Sequence, residues 1–130
     1  MAMFRPRNLL ALALLALLVV SGCEKKKVNT ESYYMVIYMV NEPGTVYTAP
    51  TVTYINAEGG ETEHTPSPWN GFWETAAIWI PRETTARVTA VKSHANTNRL
   101  TVNVLIAGAV RATGYTEEPN GTAIAEFYLP

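Results

Sequence analysis

Apolar and polar positions divide the chain into an N-terminal apolar run and a longer segment in which the two kinds alternate. Residues 9–20 are twelve consecutive apolar residues, fewer than the roughly 20 that a membrane-spanning helix needs. After residue 32, short apolar stretches are separated by clusters of Gly, Pro and Asn. This pattern is typical of short β-strands joined by turns. No segment after Cys23 has the periodicity of an amphipathic helix.

The alternation predicts about seven short strands. The eight candidate segments are residues 33–40, 45–56, 61–65, 72–80, 87–91, 100–106, 109–116 and 123–129. The pattern is clearest in residues 100–106, where four aliphatic side chains share one face. Residues 33–40 and 72–80 are apolar on both faces, so we expect both strands to be covered on both sides.

Four segments have the composition of turns, at residues 41–44, 58–60, 107–108 and 118–121. In the first, Pro43 would fix φ and Gly44 would supply a positive φ, as a type II turn requires. Pro50 interrupts residues 45–56, so we expect an edge position or a bulge there. Together the strands and turns predict an all-β domain over residues 32–130, an immunoglobulin-like antiparallel β-sandwich.

The first 23 residues contain three successive parts. Arg5 and Arg7 precede the apolar run, and the run ends in the tetrapeptide Val20-Ser21-Gly22-Cys23. This order resembles bacterial lipoprotein precursors, whose lipobox is an aliphatic residue, two small residues and a cysteine. The resemblance implies that residues 1–22 are a signal peptide, removed by cleavage before Cys23, and that the Cys23 thiol carries diacylglycerol.

The single cysteine leaves few other roles for its thiol. With one cysteine in 130 residues, an internal disulfide and a cysteine metal cluster are both excluded. The other interpretation is an ordinary secretory signal in which Cys23 is incidental.

Residues 23–31 are polar after the cysteine and read as a lipidated tether. Its lysines, at 25–27, either meet lipid headgroups or solvate the tether. We therefore expect a location in the cell envelope, anchored by lipid. Glu24 follows the cysteine where many lipoproteins retained in the inner membrane carry Asp, which favours the periplasmic face of the outer membrane in a Gram-negative cell.

The remaining 108 residues suffice for one domain. Their charge bears on whether that domain could bind nucleic acid. From Cys23 onward, eight Lys and Arg residues face eleven Glu residues, a net charge of −3, and Asp is absent. A weakly acidic domain lacks the basic surface that nucleic-acid binding requires.

Candidate chemistry is sparse. The histidines are His64 and His94, and no nucleophile motif such as GxSxG is present. In Glu61-Thr62-Glu63-His64, a strand would place the two glutamates on one face and His64 on the other. We therefore expect a solvated hairpin edge instead of a metal site, and neither a catalytic activity nor a cofactor.

The aromatic residues are better candidates for a binding site. Trp69, Phe72 and Trp73 lie within five residues, in and beside a Pro- and Gly-containing loop. Exposed aromatic side chains on a rigid sandwich can anchor a protein or a sugar ring. Alternatively, tryptophans fill the core of such sandwiches, which is the simpler interpretation of Trp69 and of Trp79. For Trp73 the two interpretations stand about equal.

Several short motifs resemble one family. They are VTYINAEGG (52–60), Pro68-Trp69, VTAVKS (88–93), LTVNVLIAGAVRATGYT (100–116) and GTAIAEFYL (121–129). They resemble the soluble domain of the MmpS-type membrane proteins of mycobacteria and the wider MmpS-like lipoproteins, over about residues 51–129. The resemblance implies an immunoglobulin-like sandwich and an accessory role beside RND-type transporters.

The functional hypothesis is a membrane-anchored envelope lipoprotein that acts as a non-catalytic accessory module for a protein partner, of which an RND-type transporter is one form. The alternative is a module that binds a glycan or another small ligand through exposed tryptophans.

Overall fold

The computed structural model describes residues 32–44 and 48–130. The predicted signal peptide (1–22), its lipobox, Cys23 and the tether lie outside the described residues. The described residues form nine strands. They are β1 (Tyr33–Asn41), β2 (Thr51–Ile55), β3 (Glu61–His64), β4 (Phe72–Glu74), β5 (Ile78–Pro81), β6 (Thr85–Val91), β7 (Leu100–Ile106), β8 (Ala109–Thr116) and β9 (Thr122–Tyr128). No helix that could cross a membrane occurs in this part of the chain.

The strands form two antiparallel sheets. Sheet A has the order β4-β1-β7-β8, and β5 also pairs with β1; sheet B has the order β3-β2-β6-β9. This arrangement confirms the predicted all-β antiparallel sandwich, with nine strands in the described segments in place of about seven. The hairpin β7–β8 has the predicted bounds, 100–106 and 109–116.

One of the additional strands arises because the predicted strand 72–80 is two strands. Both pair with β1, β4 through Met39–Asn41 and β5 through Tyr33–Val36. Between them, the Thr75 side chain accepts a hydrogen bond of 3.1 Å from the Tyr38 amide, and the Thr75 amide donates one of 3.0 Å to the Tyr38 carbonyl. A side chain thus takes part in the ladder, and the strand is interrupted there.

A proline and several turns separate the strands. Pro50 is buried and lies directly before β2, because a proline has no N–H to give to a ladder. The expected bulge or edge position at Pro50 is therefore wrong, and the strand begins one residue later. The β7–β8 turn has positive φ at Ala107 (51°) and Gly108 (83°), as a type I′ hairpin requires. Gly44 has the predicted positive φ, 86°.

The core lies between the inner faces of the two sheets. Its fully buried side chains include Tyr38, Ile80, Leu100, Leu129 and valines of β1, β2, β6 and β7. On one side the sandwich is closed, because the backbones of β8 and β9 meet. A Cβ at Gly114 would overlap the carbonyl group of Ile124.

Two expectations about burial are wrong. The described residues form two layers, so the outer face of β1 has no covering layer in this part of the chain. Trp79 does not fill the core and is 57% exposed. Its neighbour Ile80 takes the inward position, opposite Tyr34, and Trp79 is opposite Met35 on the outer face.

Candidate functional site

A surface cleft of about 320 Å³ lies on the side of the sandwich away from β8 and β9. Strands of both sheets contribute to it. Its lining residues are Tyr54, His64, Trp73, Glu74, Thr75, Ala76 and Ile78. This volume is at the lower end of the range for small-molecule sites, which are typically lined by aromatic side chains and a few polar groups.

A row of aromatic rings runs from the core to the mouth of this cleft. The Tyr38 and Tyr54 ring centroids are 5.5 Å apart, and those of Tyr54 and Trp73 are 5.9 Å apart. His64 stacks on Trp73 with a centroid distance of 5.3 Å and an interplanar angle of 28°. Tyr38 is fully buried and His64 is exposed. The inner end of the row is therefore held rigidly by the core, and its outer end is accessible to a ligand.

Strand register explains why these side chains meet. His64 is opposite Val52 in sheet B, and Trp73 is opposite Val40 in sheet A; both valines are fully buried. Directly opposite residues of an antiparallel pair share a face, so His64 and Trp73 both belong to inward faces. Each lies near the open edge of its sheet, where the opposing sheets leave the cleft between them.

The register also determines on which face of β3 each side chain of residues 61–64 lies. Glu61 and Glu63 alternate with His64 along β3 and lie on the outward face, as predicted, and all three are exposed. The described residues contain no group of three or more His, Cys, Asp and Glu side chains that could hold a metal ion.

Free strand edges border the cleft. Among the described strands, β3 pairs with β2 alone, while β4 and β5 each pair with β1 alone. The remaining backbone edges of these strands can accept a further strand. The exposed Glu74 provides a carboxylate at the rim.

The three aromatic residues nominated by the sequence do not form one site. Trp73 lines the cleft. Trp69 packs against the core, consistent with the core interpretation, and its Nε1 is buried without a hydrogen-bond partner among the described groups. Phe72 is 43% exposed and is opposite Asn41, one residue out of phase with Trp73, so it faces outward.

Of the residues that line the cleft, only Trp73 is a binding candidate from the sequence. Tyr54 and His64 are brought to Trp73 by packing of sheet B against sheet A, for which the chain has no local signal. His94, the other histidine, lies in the loop after β6, where its carbonyl accepts a hydrogen bond of 3.1 Å from the Asn120 amide.

The buried phenol of Tyr38 forms the inner end of the row. Burial raises the pKa of the Tyr38 phenol, and its hydroxyl donates a hydrogen bond of 2.9 Å to the carbonyl of Ile55. This neutral, buried group supports the ring of Tyr54 and does not reach the cleft surface. The arrangement is suited to holding an aromatic surface in place.

Comparison with known proteins adds no family to these observations. No family model matches the chain, and no curated protein matches it.

Proposed function

We propose that this protein is a lipid-anchored lipoprotein of the cell envelope whose domain binds an extended segment of a protein partner in the aromatic cleft. The observation that carries the proposal is the placement of Trp73, Tyr54 and His64 between free strand edges of the two sheets. Its action is binding, not catalysis.

A peptide suits this site for two physical reasons. An unpaired edge gives main-chain hydrogen bonds to an added strand, and a neighbouring pocket receives alternate side chains. Aromatic residues supported by a core are effective anchors, because little conformational entropy is lost when they bind. The edge of β3 is four residues long, so the bound segment would be short.

The anchor and the partner class come from the sequence resemblances. The Val20-Ser21-Gly22-Cys23 lipobox supports attachment to a membrane. The MmpS-like motifs support an accessory role beside a membrane transporter of the RND type. A tethered domain would meet such a partner at a high effective concentration, so a weak peptide site would suffice.

A second candidate, binding of a glycan or another small ligand, is favoured by the volume of the cleft. A site of about 320 Å³ with an aromatic wall and a rim carboxylate could hold one sugar ring. The two candidate functions differ in whether the backbone edges of the strands form hydrogen bonds to the ligand.

Photocrosslinking in intact envelopes tests the proposal. A photoreactive amino acid at Ala76, an exposed residue of the cleft lining, is compared with one at Ile124, which is 53% exposed on the opposite sheet. We expect a discrete protein adduct from position 76 and none from position 124. The adduct should weaken in His64→Ala and persist in His94→Ala, the matched histidine control.

Two results would overturn the peptide proposal. The same adducts from both positions would show that the contact is not specific to the cleft. Loss of the adduct on addition of a soluble glycan, with a change in Trp73 fluorescence, would favour the glycan candidate. Unfolding curves of the histidine variants show whether either substitution acts through loss of the fold.

A further inference from the structure

The outer face of sheet A is apolar at one end and mixed at the other. Cross-strand register places Trp79 opposite Met35, and Ile37 opposite Leu105, which is opposite Val110. We call these five residues the apolar patch. Trp79 is 57% exposed and Val110 is 56% exposed. Residues so paired share a face, and none of the five carries a polar side chain that could be hydrated strongly.

The other half of the same face is mixed, because polar side chains lie there beside Met39, opposite Asn103, and the exposed Phe72, opposite Asn41. Asn103 and Thr113 are opposite each other and joined by a hydrogen bond of 2.7 Å. Beyond them, the Arg99 guanidinium lies 4.5 Å from the Tyr115 ring centroid and forms an ion pair with Glu117 at 2.6 Å. These groups lie toward the end of β1 at which Asn41 is opposite Thr101.

The outer face of sheet B is mixed, because Ile124 is 53% exposed there, opposite Thr89, and Tyr128 is 55% exposed. Its outward side chains include Thr89 and Arg87, and Arg87 forms ion pairs with Glu126 at 3.5 Å and Glu61 at 3.7 Å. The apolar patch differs in that its residues are successive outward positions across β5, β1, β7 and β8.

The apolar patch lies at the end of sheet A where the chain enters the domain. β1 begins at Tyr33, which is opposite Pro81 and two residues from Met35. Nine residues, 24–32, separate Cys23 from Tyr33. At ~3.3 Å per residue, the connection between an acylated Cys23 and this end of the sheet reaches about 30 Å at most. The mixed half lies at the far end of the strand.

We propose that the apolar patch rests on the lipid surface to which Cys23 is attached, with Trp79 and Tyr33 at the level of the headgroups. The proposal rests on the proposed lipid anchor. Trp and Tyr favour the membrane–water interface because their rings are apolar and their N–H and O–H groups are polar. Tyr33 is 43% exposed at this edge.

Charge at this end of the domain is compatible with a lipid surface but does not determine it. Arg111 is exposed and is the extra residue of the bulge between the pairs formed by Val104 and Leu105. In the β5–β6 turn, Arg82 and Glu83 are both exposed and balance each other. The apolar side chains and the short tether therefore favour this orientation. The cleft remains free, because its aromatic side chains, Tyr54, His64 and Trp73, belong to inward faces at the open edge.

Fluorescence quenching by lipid tests this orientation. The mature protein is purified from membranes with its anchor, and acylation of Cys23 is established by intact mass. It is then reconstituted in phosphatidylethanolamine–phosphatidylglycerol vesicles. The vesicles carry acyl chains that are brominated close to the glycerol or are unbrominated. We expect brominated lipid to quench part of the tryptophan emission, and this quenching to be lost in Trp79→Phe. Trp73→Phe is the matched control and should keep it.

A photoreactive amino acid at Val110 provides a second measurement that does not depend on tryptophan. A phospholipid adduct at position 110, absent at the control position Ile124, is expected. An adduct with another protein or with a second copy of the chain would overturn the lipid assignment in favour of a protein interface. Unquenched Trp79 in an acylated protein would overturn it too and leave the anchor standing. An unacylated Cys23 would overturn the anchor itself, so the two failures are distinguishable.

Discussion

The hydroxyl of Tyr38 donates a hydrogen bond of 2.9 Å to the backbone carbonyl of Ile55, and this bond joins sheet A to sheet B through the core. Tyr38 is fully buried, so neither group has water as an alternative partner. The same ring begins the aromatic row that reaches the cleft through Tyr54. One residue therefore supports both the sandwich and the candidate site.

Removing the Tyr38 hydroxyl should destabilise the domain. We expect Tyr38→Phe to lower the free energy of unfolding by about 1–3 kcal/mol, because the Ile55 carbonyl is left buried without its donor. Urea unfolding measures the change. Tyr128→Phe is the control, since Tyr128 is 55% exposed, and should change stability by no more than about 0.5 kcal/mol. Equal effects of the two substitutions would contradict this role of the hydrogen bond.

Stability should also fall at alkaline pH. Burial raises the pKa of Tyr38 above its ordinary value of 10.0. The unfolded chain therefore loses this proton at a lower pH than the native protein. The stabilisation is fully present below about pH 10 and is lost above it, at up to about 1.4 kcal/mol per pH unit. Urea unfolding from about pH 9 to pH 11 should show this slope, and a Tyr38→Phe protein should show less of it. Equal slopes would contradict the assignment.

Gly114 should tolerate no side chain. A methyl group there would overlap the Ile124 carbonyl at the closed side of the sandwich. We expect Gly114→Ala to cost about 3 kcal/mol or more, since backbone atoms of β9 would have to move. In the control, Gly60→Ala, the added carbon would lie 3.7 Å from Asn56 side-chain atoms, an ordinary contact. Its effect should be within about 1 kcal/mol, and similar losses at both positions would contradict the close approach.

The β7–β8 turn contains a position at which a substitution should stabilise the domain. Ala107 has φ of 51°, in a region where an L-residue with a Cβ is strained. Ala107→Gly should raise the free energy of unfolding by about 0.5–1 kcal/mol because the strain is relieved. Ala109→Gly, two residues later in β8, should lower it by about 0.5–1 kcal/mol. Thermal unfolding of the two variants should therefore shift in opposite directions, and shifts of the same sign would contradict the turn assignment.

The sequence predicts this fold best where the determinants are local. The alternation in residues 100–106 and the two turn residues after it specify β7 and β8 with their observed bounds. The interruption of residues 72–80 is different, because it depends on hydrogen bonds between Thr75 and Tyr38, 37 residues apart. No pattern within the segment indicates those bonds.

The same distinction applies to the candidate site and to the apolar patch. Trp73 is recognisable as a candidate, whereas its neighbours His64 and Tyr54 belong to the other sheet. Trp79 is misassigned because residues 72–80 are apolar on both faces, so alternation cannot decide which set points inward. Pairing with β1 decides it by placing Ile80 on the core side.

The lipid anchor is the central requirement, because both the proposed binding of a membrane partner and the proposed orientation of the apolar patch depend on it. The most direct test is the intact mass of the mature protein isolated from cell envelopes. We expect a chain that begins at Cys23 and carries diacylglycerol on its thiol, with residues 1–22 removed. A mature chain with an unmodified Cys23, or one that retains residues 1–22, would contradict the account.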